Sequence, residues 1–340
     1  MKKNIRNFDF EELKALVVSS GEPEFRATQI FKWLYEKGIE DFSRMSDIPE
    51  ELRNLLVSDY SAGLPEAVEI LKSKDGTRKF LFKLNDENFI ESVLIPEKER
   101  NTVCISTQVG CKFRCAFCAS GRIGFIRNLD VSEILGQILY IRFRENVKVS
   151  NIVFMGMGEP FDNYDNVIKS IMIINNKYGL NIGARKITVS TAGVVPGIEK
   201  FSKIGLQVRL SISLHACDDN TRNRLMPINR KYPLVELLGA CKSYIQTTGR
   251  RITLEYILIE GINCGERHLV NLANIAKELN ADVNLIPVSK NKSTGFLPPS
   301  PEAVRHFADL LRDKKIRVSI RDSRGKDIDA ACGQLAGKRR

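Results

Sequence analysis

The sequence predicts an α/β protein built around a parallel sheet, and an alternation of two patterns along the chain indicates this class. From about residue 102, short stretches rich in β-branched and apolar residues alternate with longer stretches of helical periodicity. The candidate strands are residues 102–107, 151–157, 186–191, 208–214, 252–259, 282–288 and 316–321. The candidate helices are residues 131–145, 164–178, 196–204, 234–247, 265–279 and 301–314. About six βα units of this kind imply a parallel sheet buried on both faces, either open or curled into a partial barrel.

Two of the helices carry recognisable start signals. Asp130 is followed three residues later by Glu133, which is the spacing of a capping box. Ser300 precedes Pro301, which places proline at the first helical position, where its missing N–H costs nothing. These signals support the two helix starts independently of the apolar periodicity.

The first hundred residues have a different organisation. Residues 10–17, 27–36 and 49–56 predict three short helices with basic residues between them. They could form an accessory module for nucleic acid, or a plain helical cap. Residues 79–84 and 89–95 alternate as strands across a polar turn, which predicts a β-hairpin. We therefore expect an N-terminal helical accessory (RNA-binding) domain over residues 1–75 and a hairpin extension over residues 76–100.

Composition limits the function classes. The chain has 340 residues, 43% of them hydrophobic, which is enough for a large core and too much for disorder. It has no apolar run of membrane-spanning length and no signal-peptide core at its start, so we expect a cytoplasmic protein without membrane attachment.

The charge balance favours a polyanionic partner. Lysine and arginine number 52 against 41 aspartates and glutamates, a formal net charge of +11. A generally basic enzyme remains the alternative. The basic residues are scattered in short clusters, such as Arg222/Arg224, Arg250/Arg251 and Lys338–Arg340, which suggests a binding surface assembled by folding.

Four of the eight cysteines lie within fifteen residues, and three of them form the pattern C-x₃-C-x₂-C: Cys111, Cys115 and Cys118. Three thiolates from one turn suit three corners of a 4Fe–4S cube and leave the fourth iron open for a ligand. Structural zinc would need a fourth ligand, which Cys104 or His215 could supply from a distance. In a reducing compartment, metal or redox chemistry is favoured over a disulfide framework.

The triplet resembles the signature of radical S-adenosylmethionine (SAM) enzymes, and a second motif extends the resemblance. Met155–Pro160, with the sequence MGMGEP, follows the second strand of the series and is similar to that superfamily's glycine-rich element, which holds the amino group of SAM. Glycines allow a close approach of the backbone, and a carboxylate can pair with an ammonium.

The end of the chain narrows the resemblance to the RlmN family of adenine-C2 RNA methyltransferases. Asp327–Leu335, with the sequence DIDAACGQL, and Cys104, seven residues before the triplet, match that family. Further matching segments are Glu91–Pro96, Gln108–Cys111, Arg127–Leu129, Ser190–Pro196, Ser213–His215 and Met226–Asn229. The resemblance implies a partial (β/α)6 barrel of radical SAM type over residues 101–325. It also implies a C-terminal segment over residues 326–340 that carries the methyl-accepting cysteine.

The resemblance further implies a role for three side chains outside the cluster. Cys332 takes a methyl group from one SAM and becomes S-methylcysteine, and reductive cleavage of a second SAM produces the radical that activates this methyl group. Glu91 is the proton acceptor, and Cys104 is the resolving thiol that forms a transient disulfide with Cys332. Each residue has a simpler alternative: an inert thiol in a tail for Cys332, a buried strand residue for Cys104, and an exposed carboxylate for Glu91.

The SAM contacts that the resemblance implies are Gly158, Glu159, Ser190, Ser213, Leu214 and His215. One position departs from the family pattern. Ser289 stands where the family usually presents asparagine to the adenosyl group, and Asn291 comes two residues later. Serine can still donate and accept a hydrogen bond.

The implied activity is methylation of carbon 2 of an adenosine in 23S rRNA and of an adenosine in a tRNA anticodon loop. The implied cofactors are a 4Fe–4S cluster and two SAM molecules per turnover. The expected electron donor is a flavodoxin or ferredoxin, and the expected state is a monomer. One alternative is the antibiotic-resistance relative that methylates carbon 8 with the same cysteines. Another is a zinc-stabilised RNA-binding protein without catalysis.

Overall fold

A computed structural model describes residues 2–289, 295–321 and 324–337. The α-helices of these residues are α1 (Phe10–Ser19), α2 (Phe25–Tyr35), α3 (Glu50–Asp59), α4 (Ala119–Ile123), α5 (Val131–Phe143), α6 (Tyr164–Asn175), α7 (Val195–Phe201), α8 (Asp219–Leu225), α9 (Leu234–Thr248), α10 (Glu266–Glu278) and α11 (Pro301–Asp313). The strands are β1 (Lys3–Asn4), β2 (Tyr60–Ser61), β3 (Glu66–Lys72), β4 (Arg78–Lys83), β5 (Phe89–Pro96), β6 (Asn101–Cys104), β7 (Gln108–Gly110), β8 (Phe125–Asn128), β9 (Asn151–Phe154), β10 (Ile187–Thr191), β11 (Arg209–Ser213), β12 (Thr253–Leu258), β13 (Asp282–Pro287) and β14 (Val318–Ile320).

One ten-stranded sheet organises the molecule, in the order β14-β13-β12-β11-β10-β9-β6-β5-β4-β3. The seven strands from β14 to β6 are parallel to their neighbours. β5, β4 and β3 continue the sheet in antiparallel fashion. The six helices α5, α6, α7, α9, α10 and α11 connect successive parallel strands. The predicted series of strands and helices is therefore confirmed, and so is the α/β fold class.

The predicted helix starts are present in atomic detail. Asp130 Oδ1 accepts from Glu133 N at 2.8 Å, and Glu133 Oε2 accepts from Asp130 N at 3.0 Å, which completes the capping box of α5. Ser300 Oγ accepts from Ala303 N at 3.2 Å at the start of α11. Both caps satisfy backbone N–H groups that a helix start leaves without a partner.

The two faces of the parallel sheet differ, so the prediction of a sheet buried on both faces is wrong. On β9, Ile152 is fully buried in the apolar core, whereas its neighbours Asn151 and Val153 line a cavity on the other face. The same alternation of apolar and polar positions recurs on the following strands. The sheet curls around this polar face. A contact between two distant strand ends shows the curl: Nη1 of Arg321, which follows β14, lies 3.4 Å from Sδ of Met155, which follows β9.

The N-terminal helices form a compact unit against the outer face of the barrel. Asn7 holds the start of α5 from two sides, because its side-chain oxygen accepts from Ser132 N at 2.8 Å and its nitrogen donates to Asp130 Oδ2 at 3.1 Å. The last helix of this unit ends at Asp59, and β3 then pairs with the hairpin formed by β4 and β5. The hairpin is thus part of a three-stranded extension of the main sheet.

Among the described residues, no helix combines the length and apolar character needed to cross a bilayer.

Candidate functional site

Two connected cavities occupy the concave side of the barrel. The upper cavity, of about 160 Å³, lies at the carboxyl ends of the strands and is lined by the cysteine triplet, the MGMGEP loop and the ends of β10 to β13. The lower cavity, of about 560 Å³, lies toward the amino ends of the same strands. Both cavities are bounded by five common residues: Met155, Glu255, Ile286, Arg321 and Cys332. In parallel α/β folds the carboxyl ends of the strands are where ligands bind.

The three cysteines of the triplet line one wall of the upper cavity as free thiols. Their loop is a tight turn, in which Cys118 N donates to Cys115 O at 3.0 Å and Arg114 adopts a positive φ of 50°. The loop packs against α8, because Ala116 N donates to Leu225 O at 2.9 Å. These contacts present all three sulfurs from one short segment.

The donor set fits an iron–sulfur cluster. Burial raises the pKa of Cys111 to about 12, and the nearby charge of Cys118 contributes. Burial also raises the pKa of Cys115 well above its ordinary value, with further contributions from the charges of Cys118 and Cys111. Three half-buried cysteine sulfurs in one loop suit a cationic partner that stabilises their thiolates, and soft sulfur donors match iron. Among the described residues, no group of three or more Cys, His, Asp or Glu side chains is arranged to hold a single metal ion.

The glycines of the MGMGEP loop are required by packing inside the protein. A Cβ at Gly156 would lie 2.6 Å from the carbonyl oxygen of Ile105. Gly158 has a φ of +99°, and a Cβ there would lie 2.6 Å from Gln108 Cβ. The loop is therefore pressed against the backbone that follows β6, which holds it at the edge of the upper cavity.

Glu159 follows this loop and is buried in the wall of the upper cavity. Its Oε1 accepts from Phe161 N at 3.0 Å, and its Oε2 accepts from Ala192 N at 2.7 Å. Burial raises the pKa of Glu159 to about 7, although these backbone hydrogen bonds oppose the rise. An ammonium group in the cavity would favour the ionised carboxylate.

Of the other predicted SAM contacts, Ser190, Ser213, His215 and Ser289 also line the upper cavity. His215 Nδ1 accepts from Ile257 N at 3.1 Å, and burial lowers the pKa of His215 to about 3, so that the ring is neutral.

Two residues that the sequence suggested as SAM contacts are not found in the wall of the upper cavity. The side chain of Leu214 is fully buried in the apolar core, because it alternates with its neighbours on the strand and points to the helix side. Asn291 lies outside the described residues. Of Ser289 and Asn291, the two candidates for the contact with the adenosyl group, only Ser289 lies within the described residues, and it lines the upper cavity.

Arg222 is a site residue whose place the sequence did not indicate. It is fully buried, whereas its cluster with Arg224 suggested a binding surface. Its guanidinium donates to Ala192 O at 2.8 Å and to Leu214 O at 3.1 Å, and these carbonyls follow β10 and β11. Arg222 therefore ties together two strand ends that form the cavity wall.

Cys332 lies in the C-terminal segment and lines both cavities. The segment is hydrogen-bonded to the residues that follow the triplet, because Ala119 N donates to Gly333 O at 2.7 Å and Ser120 Oγ donates to Leu335 O at 2.7 Å. The tail sulfur and the three triplet sulfurs, more than two hundred residues apart in sequence, thus share one cavity.

Cys104 lies at the end of β6, behind the wall of the two cavities, and is buried. Its sulfur accepts a hydrogen bond from the backbone N–H of Met155. Burial raises the pKa of Cys104 to about 12, and the nearby charge of Cys332 contributes to the rise. The two thiols are therefore close enough to interact electrostatically.

Glu91, on β5, is buried, so the interpretation as an exposed carboxylate is wrong. Its Oε1 pairs with Lys79 Nζ at 2.9 Å, and its Oε2 accepts from Ala336 N at 2.5 Å and from Gly337 N at 3.0 Å. Lys79 Nζ also lies 3.3 Å from the carbonyl oxygen of Asp329. The Lys79–Glu91 pair therefore holds the C-terminal segment on both sides of Cys332.

Comparisons with known proteins follow the same division of the chain. The pattern of the radical SAM superfamily matches residues 105–273, and that of the ribosomal RNA large subunit methyltransferase N-terminal domain matches residues 3–60. The chain is 47% identical to a probable dual-specificity RNA methyltransferase RlmN from Caldanaerobacter subterraneus, over 98% of each protein. The chain belongs to the RlmN family. It is also 45% identical to the dual-specificity RNA methyltransferase RlmN of Geobacter sulfurreducens, over 98% of this chain and 92% of that protein.

A solved structure supports the membership in RlmN at the level of the fold. A radical SAM methyltransferase from Sphaerobacter thermophilus superposes with a TM-score of 0.93 at 40% identity, covering 99% of this chain and all of that one. The predicted radical SAM barrel with its N-terminal helical part is thereby confirmed. As a member of RlmN, the protein is a radical SAM RNA methyltransferase that uses a 4Fe–4S cluster and SAM.

Proposed function

We propose that this enzyme methylates carbon 2 of an adenosine in 23S rRNA and of an adenosine in a tRNA anticodon loop, through S-methylcysteine at Cys332. The single observation that carries the proposal is the position of Cys332, whose segment is folded into the cavity lined by Cys111, Cys115 and Cys118. Two RlmN relatives that are 45–47% identical are named dual-specificity RNA methyltransferases, which supports two RNA classes as substrates.

The lower cavity is the side from which we expect RNA to approach Cys332. Its walls carry more basic than acidic side chains: Arg100, Arg185, Lys186, Arg209, Arg321 and Arg324 against Glu97, Glu255 and Asp282. Basic side chains around an opening attract phosphates, and the net charge of +11 acts in the same direction. A base inserted from this side would meet the sulfur of Cys332 without crossing the upper cavity.

The division of labour that we propose follows from the environment of each residue. The cluster and SAM, when bound in the upper cavity, supply the electron, the methyl group and the radical chemistry. Cys332 carries the methyl group and faces both cavities. Glu91 removes the proton from the ring carbon, and Cys104 attacks the sulfur of Cys332 to release the product and leave a disulfide.

The proposed role of Glu91 requires a movement of the tail. In the described conformation Glu91 Oε2 accepts from two backbone N–H groups of the tail, and Glu91 lines neither cavity. The carboxylate can reach a crosslinked base only when Ala336 and Gly337 release it. We therefore propose that the segment around Cys332 is docked while the thiol is methylated and shifts when the crosslink is resolved.

The decisive experiment supplies the anaerobically reconstituted enzyme with isotope-labelled SAM and with unmodified fragments of 23S rRNA and tRNA. Nuclease digestion and mass spectrometry then locate the label. We expect 2-methyladenosine in both fragments. Label at carbon 8 would instead identify the resistance-type activity, which the comparisons do not favour, and absence of iron and sulfide after reconstitution would contradict radical chemistry altogether.

We further propose that the electron comes from a flavodoxin or ferredoxin, that the enzyme acts as a monomer, and that it works in the cytoplasm. Reduction of the Cys104–Cys332 disulfide in each cycle agrees with a reducing compartment. Reconstitution of turnover with each purified donor, and light scattering of the enzyme with and without RNA, test the first two proposals. Fractionation of cells tests the third.

A further inference from the structure

Arg321 is the basic residue common to both cavities, and apart from its share in the basic lining of the lower cavity it has no part in the steps proposed so far. It directly follows β14, and its backbone N–H donates to Leu285 O at 2.8 Å, which fixes the start of the side chain. Arg321 lines both the upper and the lower cavity, as Cys332 does.

Arg321 is near both thiols of the proposed mechanism, because it shares two cavity walls with Cys332 and its charge interacts with those of Cys332 and Cys104. Its Nη1 is 3.4 Å from Met155 Sδ, and the backbone N–H of Met155 donates to the sulfur of Cys104. One residue thus separates Arg321 from Cys104. Arg321 interacts electrostatically with Cys332 more strongly than with any other group.

No carboxylate neutralises Arg321 at short range. Among the described residues it makes no ion pair within 4 Å, and the nearest acidic influence is Glu255 on β12. The carboxylate of Glu255 is itself occupied, because its Oε2 accepts from Asn284 Nδ2 at 2.7 Å. Arg321 is half-buried, and a partly desolvated guanidinium with no carboxylate within 4 Å is available to stabilise negative charge that appears during function.

Both polar steps at sulfur involve negative charge of this kind. The thiolate, rather than the thiol, is the nucleophile. Cys104 is buried, which opposes its ionisation, whereas Cys332 is exposed and meets Arg321 at the cavity wall. When Cys332 attacks the methyl group of SAM, a new C–S bond forms, the old C–S⁺ bond breaks, and S-adenosylhomocysteine leaves. When Cys104 attacks the sulfur of Cys332, an S–S bond forms and the electron pair of the broken S–C bond passes to the methylene carbon, which takes a proton to become the methyl group.

We propose that Arg321 is a positioning residue that stabilises the thiolates of Cys332 and Cys104 and thereby enables both sulfur substitutions. This inference rests on the proposed function for the identity of the two steps. The electrostatic part of it concerns the protein alone and can be tested without RNA.

The test is the pH profile of Cys332 alkylation by neutral iodoacetamide in the cluster-loaded enzyme. Trypsin releases residues 327–338 as a peptide that contains no other cysteine, so mass spectrometry reports this thiol separately. Cys332 shares its two cavities with other titratable groups besides Arg321, and Cys104 lies behind their wall. In the described chain these groups are Glu255, Glu159, His215, Cys111, Cys115 and Cys118 in the upper cavity, and Glu97, Arg100, Arg185, Lys186, Arg209, Asp282 and Arg324 in the lower one. Apart from the control substitution of Arg324, they are unchanged in the variants.

We expect Arg321→Gln to shift the profile upward by about one pH unit, because the thiolate loses its cation. Arg321→Lys keeps the positive charge, so its profile should lie close to that of the unchanged protein. Arg324→Gln is the matched control, since Arg324 also lines the lower cavity but interacts with Glu97. Its profile should coincide with that of the unchanged protein.

An unchanged profile in both Arg321→Gln and Arg321→Lys would overturn the proposal, and so would an equal shift in Arg324→Gln. Iron content and circular dichroism of each variant identify a folding defect. If Arg321→Gln is defective, Arg321→Met, which keeps the aliphatic stem and removes the charge, replaces it and should show the same upward shift. Because the assay contains no RNA, its failure leaves the proposed RNA methylation standing. Conversely, if Arg321→Gln shows the expected upward shift but the unchanged enzyme forms no methylated RNA, the result counts against the proposed function only.

Discussion

The two walls of the upper cavity are built in different ways. The SAM-side wall consists of short loops directly after parallel strands, and its polar groups are fixed by local backbone contacts, as Glu159 is by Phe161 and Ala192. The opposite wall is the C-terminal segment, which is held by side chains from distant strands, as by Lys79 and Glu91. One wall is thus held by contacts within short loops, and the other only by side chains from elsewhere in the fold. The movement of the tail that we propose needs this difference, because only the second wall can shift without disturbing the loops that follow the strands.

The largest effects should separate the two walls completely. Cys115→Ala removes one of the three proposed cluster ligands, so we expect loss of iron, of SAM binding and of all methyl transfer. Cys332→Ala should retain iron and SAM binding but form no methylated RNA, because only the carrier is gone. Iron analysis, equilibrium dialysis with SAM and the labelled-RNA assay measure the three properties. A Cys332→Ala enzyme that still methylates RNA would remove the distinction between the walls.

Cys104→Ala should stop the cycle one step later. The crosslink between Cys332 and RNA would form but not be resolved, because no thiol attacks the carrier sulfur. We expect a covalent protein–RNA species on denaturing gels that nuclease treatment reduces to a nucleotide-sized adduct. Cys241→Ala, which changes a buried cysteine on α9, is the control and should leave no adduct.

Lys79→Met tests the anchoring of the C-terminal segment. It leaves the carboxylate of Glu91 buried without its partner, which should cost about 3 kcal/mol of unfolding free energy. Hydrogen exchange over residues 329–337 should accelerate while SAM binding persists. Lys83→Met, on the same strand, breaks an exposed pair with Glu87 and should cost less than about 0.5 kcal/mol. Urea unfolding measures both losses of unfolding free energy. Equal losses for the two variants would contradict the anchoring of the C-terminal segment by the Lys79–Glu91 pair.

The smallest effect concerns the SAM-side wall alone. The pKa of Glu159 is raised to about 7, so its carboxylate becomes protonated as the pH falls through this value and loses its attraction for the ammonium of SAM. We expect the Kd for SAM to rise roughly fivefold between pH 7.5 and pH 6, partly offset by fuller protonation of the SAM amino group. Glu159→Gln should bind more weakly and show no such rise. Calorimetric titration of both proteins across this range makes the measurement.

Local patterns predicted much of the fold and the SAM-side wall correctly. The strand and helix series, the caps at Asp130 and Ser300, and the placement of the triplet and Glu159 after strands all follow from short-range periodicity and spacing. The polar concave face was missed, although the alternation on β9 and its neighbours contains the signal. The helix α8 was also missed, because its seven residues are largely polar and carry no apolar stripe.

The positions of Lys79 and Glu91 show where local reasoning stopped. The hairpin register, which pairs Leu81 with Glu91, puts Lys79 on the same face two residues along, so their proximity could have been read from the turn. The contact of this face with the C-terminal segment could not have been predicted, because that segment has no helical or strand periodicity of its own. The same holds for Arg321, whose charge is visible in the sequence but whose neighbours come from three distant segments.

The sequence by itself determined the chemistry of this protein. The spacing of the thiols and the glycines at the strand ends are local features, and a cluster or cofactor binds to groups that such short segments supply. Only the tertiary structure decided which groups work together. The curl of the sheet brings β14 back to β9, and side chains of the antiparallel extension hold the tail, so that the charges of Cys332, Cys104 and Arg321 influence one another. Contacts across such separations depend on how whole elements pack, and no short stretch of residues encodes them.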